Sequence, residues 1–418
     1  MRYTITVIGL GFVGLTTALA FAEKNNCVYG IDINPDRLDT IRSGNLPFAE
    51  PGLDQALLRH NNNNFSVTTD VKTAVKNSEF VFLCVGTPAG EKGETDLTYI
   101  FSAIDHISSV LHDGKYRVIV IKSTVPPSTT LERVIPYLQK KGLSVGERFS
   151  VANNPEFLRE GKCWEDMMNA DRIVCGVCDQ KGESMLRSLY SRFSSPFFSV
   201  SLNTGEFIKY LSNTLLATMI SYANEMSKAA DAIGDVQTKE AFQILHMDRR
   251  WGGCEMKNYV YPGCGYGGYC LPKDTQAMYA QAFSNGYEPT ILKHVISVNE
   301  TMPQYMVDKI IRITELSDTI GILGLSFKPD SDDVRDSSSA KIISLLLQSG
   351  YNNLFAFDPL ANKAFAKEYE FEQISYCDSL EEIYRKSKVL VLVTAWKEFA
   401  SLDKDDPNKT ILDFRYFL

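Results

Sequence analysis

The sequence lacks an excess of positive charge, a long apolar run and a cysteine framework, and each absence removes a class of function. Lysine and arginine total 43 against 51 acidic residues, a net charge of −8, and the isoelectric point is near 5.4. Nucleic acid and anionic membrane surfaces both need a basic field, so neither is an expected partner, and an anionic ligand must meet a local basic pocket. No stretch approaches the roughly 18 apolar residues of a spanning helix. Arg2 and the run through Ala18, Ala20 and Ala22 imitate a secretory leader, but the glycines at 9, 11 and 14 explain that segment better. Nine cysteines without framework spacing predict free thiols in a reducing cytoplasm. Cys175 and Cys178 form a C-x-x-C inside an apolar stretch with no histidine nearby, so no metal or redox role is expected of them. What remains, 44 % apolar and 22 % charged, is the composition of a globular protein with room for two or three domains.

The stretch Pro262–Asp274 gathers a thiol, an ammonium and a carboxylate behind Gly263, Gly265, Gly267 and Gly268. Glycines permit positive φ and let a ligand approach the backbone. Cys270 precedes Lys273 by three residues and Asp274 by four. With a helix starting after Pro272, the thiol lies by a helix N-terminus and near Lys273, two influences that lower a thiol pKa and make a nucleophile. A structural turn with a buried cysteine is the alternative.

At the N-terminus, a strand Thr4–Ile8 leads into Gly9-Leu-Gly11-Phe-Val-Gly14, a helical stretch to Glu23, and a strand Cys27–Ile31 that ends at Asp32. This is a dinucleotide fingerprint in context: Gly9 for the turn, Gly11 for approach of the pyrophosphate, Gly14 for helix packing. Asp32 would accept from ribose hydroxyls and repel a 2′-phosphate, which favours NAD, although Arg37 stands close enough to tolerate NADP. The strands Phe80–Val85 and Arg117–Ile121 run into loops carrying Thr87 and Thr124, which either face the cofactor or cap helices. Glu156 and Glu160, four apart with Arg159 beside them, follow what reads as the fifth strand of the same sheet. A helical pattern from Gly205 to Gly234 extends about 45 Å, long enough to tie two domains, and its surplus apolar surface suits a dimer seam. On it Lys209 and Asn213 share a face, the lysine either snorkelling or held in a site. From Thr319 the pattern repeats. A strand Ile320–Leu325, a polar loop with Lys328 and Arg335, a helix from Ala340, a strand ending at Asp358 and the run Ser387–Thr394 make a second, degenerate nucleotide fold whose cations suit a pyrophosphate.

These motifs, in this order, resemble the UDP-glucose/GDP-mannose dehydrogenase family: Gly9-x-Gly11-x-x-Gly14, Val85-Gly-Thr-Pro88, Lys122-Ser-Thr-Val-Pro126, Asn154-Pro-Glu-Phe-Leu-Arg-Glu160, Lys209-Tyr-x-x-Asn213 and Gly265-Tyr-Gly-Gly-Tyr-Cys-Leu-Pro-Lys-Asp274. The resemblance implies an α/β protein of two Rossmann-like doubly wound domains joined by a long central helix. Residues 1–200 would bind NAD, 201–300 would hold the linking helix and catalytic loop, and 301–418 would bind the UDP-sugar. It implies two NAD-dependent oxidations of the sugar C6 hydroxymethyl group, with a thioester on Cys270. Lys209, Asn213 and Asp274 would manage the oxyanion and protons, and Glu160 with Thr124 the hydrolytic water. Cofactor contacts would come from Gly9, Gly11, Val13, Gly14, Asp32, Thr87, Thr124, Glu160, Lys273 and Arg335. Substrate contacts would come from Glu156, Phe157, Leu158, Arg159, Glu160, Lys209, Asn213, Tyr259, Val260, Tyr261, Pro262, Gly263, Gly267 and Lys328. A homodimer is the implied assembly, with Arg249 or Arg250 reaching substrate.

The chain departs from the family pattern in three places. Ser128 replaces a glycine, extra residues precede Tyr259, and Cys264 takes an aromatic position as a second thiol or as filler. The segment 154–160 resembles the UDP-glucose and GDP-mannose branches and argues against the N-acetylhexosamine branch, and Asp171-Arg-Ile-Val resembles the UDP-glucose branch, with GDP-mannose oxidation as the alternative. Two rivals differ in class. A non-catalytic NAD sensor would use the second fold for dimerisation, and a two-electron hydroxyacid dehydrogenase would need a lysine but no thiol.

Overall fold

The computed structural model describes residues 2–248, 262–286 and 288–418, so Arg249, Arg250, Tyr259, Val260 and Tyr261 lie outside the described residues. Two compact units divide the chain, Met1–Leu211 and Ser212–Leu418.

The first unit is built on eight strands: β1 (Thr4–Ile8), β2 (Cys27–Ile31), β3 (Phe65–Val67), β4 (Phe80–Leu83), β5 (Arg117–Ile121), β6 (Phe149–Asn153), β7 (Ile173–Val177) and β8 (Phe197–Val200). Their order is β3-β2-β1-β4-β5-β6-β7-β8, parallel except where β6 meets β7. Alternate residues of the central strands feed opposite cores. Ile5, Val7, Phe80, Phe82, Val118 and Val120 pack on one face, and Ile8, Val81, Leu83, Ile119 and Ile121 on the other. A sheet covered on both faces needs such unbroken apolar runs. The loop carrying Glu156 and Glu160 therefore leaves the sixth strand, not the fifth, because the three-residue β3 interposes.

The second unit contains β9 (Ile320–Leu323), β10 (Leu354–Phe357), β11 (Ile374–Tyr376), β12 (Val389–Leu392) and β13 (Thr410–Asp413), all parallel in the order β11-β10-β9-β12-β13. This is the order of the first five strands of the other sheet. The turn after the first strand is also shared. Gly9 (φ +93°) donates its amide to Ile31 O at 2.8 Å, and Gly324 (φ +87°) donates to Phe357 O at 2.8 Å. A Cβ at either glycine would strike the fourth strand's exit, Cys84 O at 2.6 Å or Thr394 Cβ at 2.4 Å. The expected pair of Rossmann-like folds is present.

The helix Leu202–Ile233 carries the chain from one unit into the other. Gly234 (φ +77°) ends it in the left-handed conformation that suits a helix stop. Gly205 is not its start. It lies inside the first turn, where a Cβ would come within 2.1 Å of Asn153 Oδ1, so the glycine lets the helix dock on the end of β6. No helix among the described residues is long and apolar enough to cross a membrane.

Candidate active site

In the first unit the glycine loop leaves room for a phosphate. A Cβ at Gly11 would meet no atom within 4 Å, whereas one at Gly14 would lie 1.7 Å from Gly9 O. Gly14 thus seats the helix Phe12–Glu23, with Val13 in its first turn, and no side chain caps that helix at Gly11. These features fit a dinucleotide pyrophosphate on the helix N-terminus. Asp32 stands beside them, accepting from Leu10 N at 2.7 Å and Asn34 N at 2.9 Å. Arg37 Nη1 donates to Asp32 Oδ2 at 3.0 Å, so the guanidinium nearest a 2′-phosphate is paired with the carboxylate. Thr87 Oγ1 donates to Thr124 O at 2.9 Å and ties the exits of β4 and β5 together.

Beyond β5 and β6 lies a buried polar group. Lys122 Nζ donates to Asn154 Oδ1 at 3.0 Å, Tyr190 OH donates to the same oxygen at 2.5 Å, and Asn154 Nδ2 donates to Val174 O at 2.7 Å. Burial pushes the Lys122 ammonium pKa down against the pull of Cys84 and Glu156. Glu156 Oε1 pairs with Lys209 Nζ at 2.8 Å, and both side chains are buried. Burial alone would push the Glu156 carboxyl up. The Lys209 charge, the Leu158 amide and Lys122 outweigh it and hold the group below its ordinary range. Lys209 is therefore held in a site and does not snorkel. Its Nζ also lies 5.9 Å from the Phe157 ring centroid, and Arg172 covers that ring at 4.1 Å. Arg159 grips Asp166 through Nε (3.0 Å) and Nη2 (2.6 Å). The sequence motifs assign no role to Lys122 or Arg172, although a lysine at the end of a fully apolar strand is a signal for the first.

In the second unit the helix Cys270–Ser284 begins at the thiol itself, two residues before Pro272. The expected start was later. A proline in a first turn removes only an amide that has no intrahelical partner, so the helix can begin ahead of it. Cys270 is exposed, while Lys273 and Asp274 in the same turn are buried. Asp274 Oδ2 accepts from Asn213 Nδ2 at 2.5 Å, and Lys273 Nζ lies 2.6 Å from Asp274 Oδ1.

The loop glycines are explained by the protein itself. A Cβ at Gly267 would sit 2.3 Å from Asp336 O, one at Gly268 would sit 2.8 Å from the Phe327 ring, and one at Gly263 would sit 2.5 Å from Arg415 Nη1. Tyr266 N donates to Asn299 Oδ1 at 2.7 Å and Asn299 Nδ2 returns to Tyr266 O at 3.0 Å. Pro262 is buried at the head of this loop. Cys264 is filler: it is packed in the second unit's core, and burial pushes its thiol up to about 12. Ser128 adopts the left-handed conformation that favours glycine (φ +74°) and receives Asn203 Nδ2 on its hydroxyl at 3.0 Å.

The cations of the second nucleotide fold are engaged within the protein. Arg335 pairs with Asp333 at 2.5 Å and covers the Tyr269 ring at 4.6 Å, and Lys328 Nζ lies 5.4 Å from the Phe327 ring centroid. Asp358, the counterpart of Asp32, is saturated. Leu325 N, Ser326 N, Ser326 Oγ and Trp396 Nε1 reach Oδ2 at 2.7–3.0 Å, and Leu360 N and Ala361 N reach Oδ1 at 2.9 and 2.8 Å.

Comparison with known proteins joins these parts. Family models described as the NAD binding, central and UDP binding domains of the UDP-glucose/GDP-mannose dehydrogenase family match residues 3–194, 203–301 and 321–418. A UDP-glucose 6-dehydrogenase of Rickettsia bellii (strain RML369-C) is 37 % identical over 408 residues, 96 % of this chain and 91 % of its own. Among solved structures, a UDP-glucose dehydrogenase from Pyrobaculum islandicum superposes with a TM-score of 0.93 at 35 % identity, covering 100 % of this chain and 95 % of that one. A GDP-mannose dehydrogenase from Pseudomonas aeruginosa gives 0.58 at 31 % identity, covering 98 % and 96 %. With a dinucleotide loop in one unit, a thiol-bearing helix in the other and every domain model matched in order, the chain belongs to the UDP-glucose/GDP-mannose dehydrogenase family.

Proposed function

We propose that the protein oxidises UDP-glucose to UDP-glucuronate with two NAD, the acyl intermediate being carried by Cys270. The observation that carries this reading is the first turn of the helix Cys270–Ser284, where an exposed thiol stands four residues from a buried carboxylate already hydrogen-bonded to Asn213. Residues 1–200 hold the cofactor, 201–300 the catalytic helix and loop, and 301–418 the UDP moiety. Two NAD, bound in turn, would each accept one hydride. Asp32 receives the adenosine ribose, and Thr87, Thr124, Lys273 and Arg335 complete the cofactor site. Lys209, paired with Glu156 at 2.8 Å, and Asn213 stabilise negative charge on the C6 oxygen as the alcohol passes its proton to Asp274. The Cys270 thiolate adds to the aldehyde, loss of the second hydride leaves a thioester, and water cleaves it. Glu160 takes the proton from that water, the C–S bond breaks, and the thiolate leaves with the electron pair. Glu156, Phe157 and Leu158, with Arg159, Gly263, Gly267 and Lys328, line the sugar nucleotide.

The chain works as a homodimer in the cytoplasm. An apolar stripe on the helix Leu202–Ile233 supports the dimer: Phe207, Leu211, Leu215 and Tyr222 are 41–52 % exposed. Complete conversion of UDP-glucose should yield two NADH and one acid without free aldehyde, read by absorbance and chromatography, with GDP-mannose much poorer. One NADH per sugar with aldehyde released would overturn the thioester reading, and faster GDP-mannose oxidation the substrate.

A further inference from the structure

The segment between Phe48 and Leu53 belongs to none of the motifs above, yet it touches two of them. The Phe48 ring lies 4.1 Å from Phe12 in the dinucleotide loop. Gly52, with φ +80°, sits so close to Trp164 that a Cβ would come within 3.1 Å of the indole. Between them Glu50, only 4 % exposed, turns its carboxylate inward. Oε2 accepts from Gly161 N at 2.9 Å, while the equally buried Oε1 has no hydrogen-bond partner among the described residues; burial pushes the carboxyl pKa up, and the backbone amides of Gly161, Cys163 and Trp164 oppose that shift. Burying a carboxylate is costly unless donors converge on it, and here the donors all come from the turn that follows Glu160.

The amide of Gly161 and the carbonyl of Glu160 share one peptide plane, so fixing the first orients the second. Gly161 has φ +81°, and a glycine in that region leaves the plane free to turn unless something holds it. On the other side, Arg159 N donates to Asp166 Oδ2 at 2.9 Å and its guanidinium grips the same carboxylate. Glu160 thus stands between two anchors, and Glu50 is one of them. The buried Cys163 thiol is pushed up first by burial and then by the charges of Glu50, Glu156 and Glu160, so all three carboxylates lie near this one side chain.

We propose that Glu50 is a positioning residue for the hydrolytic half of the reaction, holding the Glu160–Gly161 peptide so that the Glu160 carboxylate meets the attacking water. The inference rests on the role proposed above for Glu160. In that step the water oxygen bonds the thioester carbon, a water proton passes to Glu160, and the C–S bond breaks toward Cys270. Glu50 exchanges no proton.

The test uses the full-length enzyme with NAD and UDP-glucose. In rapid mixing, Glu50→Ala should release its first two NADH per subunit at close to the wild-type rate and then turn over about ten-fold or more slowly, a displaced base losing part of the roughly 10²–10⁴-fold that a general base contributes. Acid quenching during turnover should show an acyl adduct on the peptide carrying Cys270. Glu50→Gln, which keeps an oxygen for the Gly161 amide, should recover much of the steady rate. Should Glu50→Ala not fold, Glu50→Asp withdraws the carboxylate by one methylene and is read the same way. A loss shared equally by burst and steady state, with no adduct and no rescue by glutamine, overturns the proposal. Glu160→Gln run in parallel separates the two readings. An adduct there but not in Glu50→Ala removes the role of Glu50 alone, and an adduct in neither removes that of Glu160 as well.

Discussion

Glu206, in the first turns of the long helix, is a buried carboxyl held by a partner on another element. Its Oε1 accepts from Thr130 N at 2.8 Å and Thr130 Oγ1 at 2.6 Å. Burial nevertheless pushes its pKa from the ordinary 4.5 to about 7, the Thr130 bonds opposing. Because the folded pKa lies above the unfolded one, the fold holds a proton that the unfolded chain has released. The associated stability is fully present below about 4.5 and is lost as pH rises through about 7, a difference on the order of 3 kcal/mol. Glu206→Gln keeps an acceptor for Thr130 and cannot ionise, so thermal unfolding should find it close to wild type at low pH and more stable above neutrality. Parallel curves for the two proteins would show that the carboxyl ionises without cost.

At the scale of elements, the apolar stripe on the helix Leu202–Ile233 gives a direct test of assembly. If the proposed dimer forms along this stripe, Leu215→Glu, at a position 50 % exposed within the chain, should leave the fold intact and shift sedimentation from dimer to monomer, whereas a wild type that sediments as a monomer overturns the dimer. An unchanged sedimentation coefficient would move the seam elsewhere. The strands also show how much of the fold was legible. β1, β2 and β5 match the sequence reading residue for residue, because buried central strands are unbroken apolar runs. The strands that were not read include β3, β8, β11 and β13, which are the four sheet edges. Their burial is partial and two of them have three residues each, too short for a period of two to register. The site divides along similar lines. Lys209, Asn213, Cys270 and Asp274 stood out because chemistry-bearing residues sat at helical spacing. The pairing of Lys209 with Glu156 and the hold of Glu50 on Gly161 join segments far apart in the chain, which no local pattern reveals.

For the whole molecule, one strand order used twice serves two ends, and the acids at the tip of the second strand show how. Asp32 is 8 % exposed and receives two backbone amides and Arg37, while Asp358, 2 % exposed, is spent entirely on its own loops. Asp32→Ala should weaken NAD binding by roughly 1.5–3 kcal/mol, the range of a hydrogen bond to a charged group, with little change in unfolding. Asp358→Ala should do the reverse, leaving several buried donors unpaired at about 1–3 kcal/mol each and sparing NAD affinity in protein that stays folded. Calorimetric titration and denaturant melts distinguish them, and equal effects on NAD affinity would remove the contrast.

The shared strand order also bears on how the chain is made. In each sheet the earliest strand is central, so it leaves the ribosome with both edges open. β1 gains β2 soon, but its other neighbour is β4, in register Ile5 with Phe80, and β9 waits likewise for β12, Ile320 with Val389. A nascent chain therefore carries an unpaired apolar edge through the synthesis of all the intervening sequence, twice, and such edges favour aggregation. Slowing translation between Ile31 and Phe80, or between Phe357 and Val389, should reduce the yield of native enzyme more than the same delay placed within the helix Leu202–Ile233.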